Sequence, residues 1–85
     1  MPFEIIWPNR AKKDLAKLEK HVAERIIKKI INLSQKEQIL LEKVKGKDFF
    51  KYRVGDYRVF IDRYPLRKRL VVLTIMHRKK AYKNI

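Results

Sequence analysis

Apolar positions recur every third or fourth residue in the first half of the chain and every second residue later. Residues 3–7, Phe-Glu-Ile-Ile-Trp, form a short strand candidate that ends at Pro8, and Asn9 is placed to cap a following helix. From there Leu15, Leu18, Val22, Ile26, Ile30 and Leu33 make one apolar stripe, widened by Ile27 and Ile31, with Lys and Arg on the opposite face. The stripe contains neither Gly nor Pro, so periodicity alone is compatible with one long helix or with a hairpin of two. The polar residues Glu19, Lys20 and His21 are the only plausible break. Residues 34–42 read as a helix end and a connection.

From residue 49 the period is two. Phe50, Tyr52 and Val54 fall on one face of a strand, with Phe49, Lys51 and Arg53 on the other. Gly55-Asp56 is a two-residue hairpin turn of the Gly-X kind. A second strand covers residues 57–63, a longer turn surrounds Pro65, and the apolar run at 70–77 predicts a central strand covered on both faces. The expected architecture is α+β. A short N-terminal strand and a helical segment precede a three-stranded antiparallel meander that completes a small sheet, with the helices packed on one face. Residues 1–85 show no repeat, low-complexity stretch or linker, and read as a single domain.

Charge changes this picture from scaffold to surface. The chain of 85 residues carries a formal net charge of +14. Residues 43–85 hold fourteen Lys and Arg against three acids, whereas residues 1–42 hold nine against six. The half that must form the sheet therefore concentrates the positive charge, as expected of a folded surface that holds a polyanion, most plausibly nucleic acid. The chain has no cysteine, so disulfides and thiolate metal sites are excluded. No apolar run approaches the ~18 residues of a membrane span, and no signal-peptide pattern opens the sequence, which points to the cytoplasm and away from membranes.

Candidate chemistry gathers at the hairpin. With a two-residue turn, positions 54 and 57 face each other and Arg53 pairs opposite Arg58. Two opposed arginines repel unless an anion lies between them; the alternative is that both splay into solvent. After the last strand, residues 77–82 (His-Arg-Lys-Lys-Ala-Tyr) read as a basic loop on a rigid support. His77 carries an imidazole, the side chain best suited to proton transfer, although a lone histidine is more often structural. Tyr82 either anchors its ring on the sheet or stacks on a base. There is no GxxxxGK(S/T) loop, GxSxG elbow or HExxH motif, and Asp48, Asp56 and Asp62 do not form a spaced metal cluster. Neither a metal nor another cofactor is expected. RNA cleavage remains open to such a chain, because RNA brings its own nucleophile, the 2′-OH. Clustered cations can stabilise the developing phosphorane, and a lysine can take the proton.

Four segments carry a resemblance to a known family: AKKDLAKL at 11–18, EKVKG at 42–46, YRVGDYRVFI at 52–61 and HRKKAY at 77–82. Together they span nearly the whole chain, and it resembles the RelE/ParE superfamily of toxins from type II toxin–antitoxin pairs. The resemblance implies a strand, an α-helical hairpin and an antiparallel sheet, and so favours a break near residues 19–21. For RelE-like members it implies a ribosome-dependent endoribonuclease that cuts messenger RNA in the A site by 2′-OH attack, without metal, and thereby blocks translation. Carried over by motif, Lys51 and Arg53 are the basic pair before the turn, one serving as base or stabilising the 2′-OH. Arg58 holds the transition-state phosphate. Arg78 stabilises phosphate and donates a proton to the 5′ leaving group, Tyr82 stacks on the substrate base, and His77 is an accessory group.

One position departs from the RelE pattern: Arg53 stands where a lysine is usual. Arginine hardly releases its proton, so Lys51 is the better base. Lys43, Lys45, Lys47, Lys79 and Lys80 would contact ribosomal RNA. The implied partners are the ribosome, messenger RNA and an acidic RelB-like antitoxin in a hetero-oligomer. Two other readings share the fold: a ParE-like inhibitor that binds DNA gyrase, and an RNA-binding module without turnover.

Overall fold

The computed structural model describes residues 2–36, 39 and 41–84, the last three of them as backbone alone. Strand β1 (Glu4–Ile6) leads through Pro8 into α1 (Asn9–Ala16) and α2 (Lys20–Ser34). The sheet continues with β2 (Glu42–Lys43), β3 (Phe50–Val54), β4 (Tyr57–Tyr64) and β5 (Arg69–His77), and α3 (Arg78–Asn84) closes the chain. Strand order is β1-β5-β4-β3-β2, with β1 parallel to β5 and every other pair antiparallel.

The long apolar stripe is a helical hairpin. Its break lies at residues 17–19, where Lys17 caps α1 and Glu19, in extended conformation, opens α2. Leu15 before the break and Leu18 within it both pack against the core. On α2 the inward positions Ile26, Ile30 and Leu33 are buried, whereas Ile31 is 40% exposed and does not widen the stripe. Asn9 is also displaced from its expected role. Pro8 occupies the N-cap with its φ already set near −61°, so Asn9 is the first helical residue and makes no side-chain cap.

The helices cover one face of the sheet. Ile26, Ile30 and Leu33 meet Val54, Val59, Ile61, Leu70, Val72 and Ile75 in the main core. The opposite face is not left open. There Val44, Phe60 and Ala81 are buried with Phe49, Leu73 and Met76 around them, and the Phe49 ring stands edge-on to Phe60 at 5.7 Å. Val59, Phe60 and Ile61 of β4 are consecutive and all buried, the pattern of a strand covered on both sides.

Two elements differ from expectation. The connection after α2 contains β2, whose two residues are too few to show a period. The expected basic loop after His77 is α3: its residues include no Gly or Pro, and Ala81 gives it one apolar contact with the sheet.

Asp14 joins the two halves. Beyond residue 71, β1 no longer pairs with β5, and α1 lies along the vacated edge. The Ile75 N–H donates to Asp14 Oδ2 at 3.1 Å, and Thr74 Oγ1 donates to the same oxygen at 2.7 Å. A carboxylate thus satisfies a strand amide that would otherwise be buried without an acceptor. Thr74 sits beside a β-bulge, since Phe60 pairs with Thr74 while Ile61 pairs with Val72.

Candidate nucleic-acid interface

The β3–β4 turn sets the geometry of the basic cluster. Gly55 has φ +57°, the first-position conformation that a two-residue turn of this kind demands of glycine. The register that follows pairs Val54 with Tyr57 and Arg53 with Arg58, as the sequence predicts. Alternation then puts Lys51, Arg53 and Arg58 on the face away from α1 and α2. The three line one shallow pocket together with Glu42.

Each basic group in that pocket is held differently. Arg58 is only 6% exposed, and its Nη1 donates to the carbonyls of Gly55 at 3.1 Å and Tyr57 at 3.0 Å. Its guanidinium is therefore oriented by the turn it flanks. Arg53, directly opposite, is exposed. Lys51 pairs with Glu42, its register partner across β2, at Nζ···Oε1 3.7 Å. Glu42 escaped the sequence reading because a two-residue strand gives no periodic signal. It is the one carboxylate lining the pocket.

Arg78 reaches the same end of the sheet. Its N–H donates to the Asp56 carbonyl at 2.7 Å, which ties the first residue of α3 to the turn, and its side chain is exposed. His77 lies elsewhere. It pairs with Tyr57, and the two rings meet edge to face at 5.4 Å on the α2 side of the sheet. Its Nδ1 accepts the Lys79 N–H at 3.2 Å. His77 is thus on the opposite face from Arg53 and Arg58. The Tyr82 backbone is in α3, one helical turn beyond Arg78; its side chain lies outside the described residues.

The expected RNA-contacting lysines split into two groups. Lys43, Lys45 and Lys47 are exposed on β2 and the turn after it, while Lys79 and Lys80 are exposed on α3. Arg25, one of the outward-facing bases of α2, lies against the other side of the turn: a Cβ on Gly55 would sit 3.5 Å from its Nη1. Nothing in the helical periodicity distinguishes Arg25 from any other outward-facing base. Among the described residues, no three His, Cys, Asp or Glu gather as a metal site, and no helix is long and apolar enough to cross a membrane.

Comparisons with known proteins bear on the family and the fold. The family model described as ParE toxin of type II toxin–antitoxin system, parDE, matches residues 5–82. No curated protein matches the sequence. Among solved structures, a RelBE toxin–antitoxin complex from Mycobacterium tuberculosis aligns with TM-score 0.82 at 21% identity, covering 92% of this chain and 93% of that one. An arginine-substituted form of the E. coli toxin RelE in the free state aligns with TM-score 0.78 at 21% identity, covering 96% and 90%. A RelB–RelE complex from Methanococcus jannaschii gives TM-score 0.72 at 22% identity, covering 94% and 98%. At such identities the likeness to these structures is one of fold.

Proposed function

The chain belongs to the ParE toxin family of type II toxin–antitoxin systems, within the RelE/ParE superfamily, and on that premise we propose that it is a ribosome-dependent endoribonuclease. It cleaves messenger RNA in the A site by attack of the 2′-OH on the adjacent phosphate, and so inhibits translation. The observation that carries this reading is the Arg53–Arg58 pair, opposed in register at a tight turn with Lys51 beside it and Arg78 at the same end. Cations so placed repel one another and are relieved by an anion held between them.

The chemistry divides among these groups. The 2′-OH gives up its proton as its oxygen bonds to phosphorus; the P–O5′ bond breaks, leaving a 2′,3′-cyclic phosphate and a 5′-OH. Arg58, already oriented by two turn carbonyls, meets the charge that develops on the phosphoryl oxygens. Arg53 lies across from it, and Arg78 stabilises the phosphate and supplies the proton to the leaving oxygen. Lys51 holds the 2′-oxygen electrostatically. The proton acceptor is Glu42 or Lys51; a carboxylate accepts a proton at neutral pH where an ammonium does not. Tyr82 stacks on the substrate base, and Lys43, Lys45, Lys47, Lys79 and Lys80 bind ribosomal RNA; His77, on the opposite face of the sheet, takes no part. In the cell an acidic RelB-like antitoxin neutralises the toxin in a hetero-oligomer.

Primer extension on a defined message in a matched cell-free translation system tests the proposal. Codon-phased cuts made only on translating ribosomes, and absent with Arg78→Ala, are the expected result. The match to the ParE toxin model supports a second reading, inhibition of DNA gyrase by protein contact. Folded protein that makes no cuts yet blocks supercoiling by purified gyrase would establish that reading instead.

A further inference from the structure

The far end of β4 carries a second concentration of exposed charge that the cleavage site does not use. Residues 63–69 (Arg-Tyr-Pro-Leu-Arg-Lys-Arg) contain four arginines and lysines, three of them (Arg67, Lys68 and Arg69) at the tip itself, and no acid. Leu66 is 99% exposed and Tyr64 48% exposed. With Arg67 and Arg69, Tyr64 lines a shallow pocket floored by Ile6 and Val71.

This tip is held in shape. Pro65–Arg67 form a single 3-10 turn, and Lys68 takes the left-handed conformation, φ 54°, that reverses the chain. The Lys68 N–H donates to the Pro65 carbonyl at 3.3 Å, while its own carbonyl accepts the Glu4 N–H at 2.7 Å, which binds the tip to β1. Lys68 Nζ and the Arg63 guanidinium both lie over the Phe3 ring, at 5.2 and 5.8 Å from its centroid. Arg69 Nε is 3.5 Å from Glu4 Oε1. Arg67 has no such partner among the described residues. An exposed ring beside an exposed guanidinium, on a support that does not need to reorganise, is the arrangement that takes an unpaired base on the ring and its phosphate on the arginine.

Alternation puts Tyr64 on the same sheet face as Arg58, six residues further along β4, or about 20 Å away. One nucleotide cannot reach both places. We propose that the β4–β5 tip is a second RNA-binding surface, with Tyr64 stacking on an unpaired nucleotide and Arg67 contacting its phosphate, separate from the segment held at the β3–β4 turn. The inference rests on the proposed function only in taking RNA as the polyanion.

Photocrosslinking of the whole protein to a 4-thiouridine-containing oligouridylate, with the attached peptides identified by mass spectrometry, tests it without relying on cleavage. Crosslinks are expected on the peptide containing Tyr64, and they should persist in an Arg53→Ala/Arg78→Ala variant. Tyr64→Ala should weaken capture there about tenfold, Tyr64→Phe should retain it, and Arg67→Ala should lower the salt dependence by roughly one phosphate contact. Crosslinks confined to residues near the β3–β4 turn would overturn the proposal. So would binding to anionic phospholipid vesicles that Leu66→Ser abolishes while RNA capture at Tyr64 is absent; that would make the tip a membrane-surface contact. Crosslinking at Tyr64 by a protein that never cuts messages would retain this surface and reject the nuclease reading.

Discussion

Arg58 has a double role in this structure, and replacing it separates the two. Its Nη1 bridges the Gly55 and Tyr57 carbonyls at 3.1 and 3.0 Å from a side chain that is largely buried. A hydrogen bond from a charged donor contributes about 1.5–3 kcal/mol, but Gly55 is exposed and water can replace the donor there. Counting the Tyr57 bond at full strength and the Gly55 bond as mostly replaced, Arg58→Ala should lose about 2–3 kcal/mol of folding stability. Arg58→Lys keeps the stem and the charge but not the fork, and should lose roughly half as much. Loss of one preformed donor to the transition-state phosphate should lower the cleavage rate about 10²–10³-fold. Urea unfolding followed by circular dichroism gives the first quantity. Primer extension, run at a temperature where the variant remains folded, gives the second. An Arg58→Ala protein as stable as wild type would show that the guanidinium is not engaged with the turn. Lost stability with undiminished cleavage would show that Arg58 is structural alone.

Other substitutions have distinct signatures. Arg53→Ala and Arg78→Ala, both of exposed side chains, should abolish cleavage while shifting the urea midpoint by no more than about 0.5 kcal/mol equivalent. Unfolding of Arg78→Ala would remove that residue from the site. Glu42→Gln should lower the cleavage rate with little change in stability, since it loosens only an exposed ion pair; full activity would leave the proton transfer to Lys51. Asp14→Ala deprives Thr74 and the Ile75 amide of their shared acceptor and should cost about 2–4 kcal/mol by urea unfolding. An unaltered midpoint would mean that α1 is not held to β5 through this carboxylate. Affinity for single-stranded RNA should fall steeply with salt, each neutralised phosphate adding roughly 0.7 to the log–log slope; a flat response would count against polyanion binding.

Legibility from sequence followed the length of each element and the locality of its contacts. Alternation through residues 50–54 and the Gly55-Asp56 turn were enough to predict the Arg53–Arg58 register, because a two-residue turn leaves one pairing. The stripe from Leu15 to Leu33 specified which side of the helices is buried; the polar residues 19–21 were its one candidate break, favoured by family resemblance, and the break lies slightly earlier, at residues 17–19, which carry no Gly or Pro. β2 is too short for any period, and with it Glu42 was missed. α3 was hidden because only Ala81 of its described side chains is apolar and buried. Asp14 contacts residues some 60 positions away, and no local pattern marks it out. The burial of Arg58 also depends on tertiary packing, so an arginine read as a free phosphate ligand is also part of the turn.

The parallel pairing of β1 with β5 has a consequence for how the protein is made. Residues 4–6 find their strand partner only at 69–71, and α1 finds its acceptor contacts at Thr74 and Ile75. On a translating ribosome the β3–β4 hairpin can close soon after residue 61 leaves the exit tunnel, but β1 and α1 must wait for residues 69–75. Loop-closure entropy makes this long-range step the slow one. The nascent chain therefore holds its cationic hairpin with an incomplete sheet until residues 69–75 have emerged.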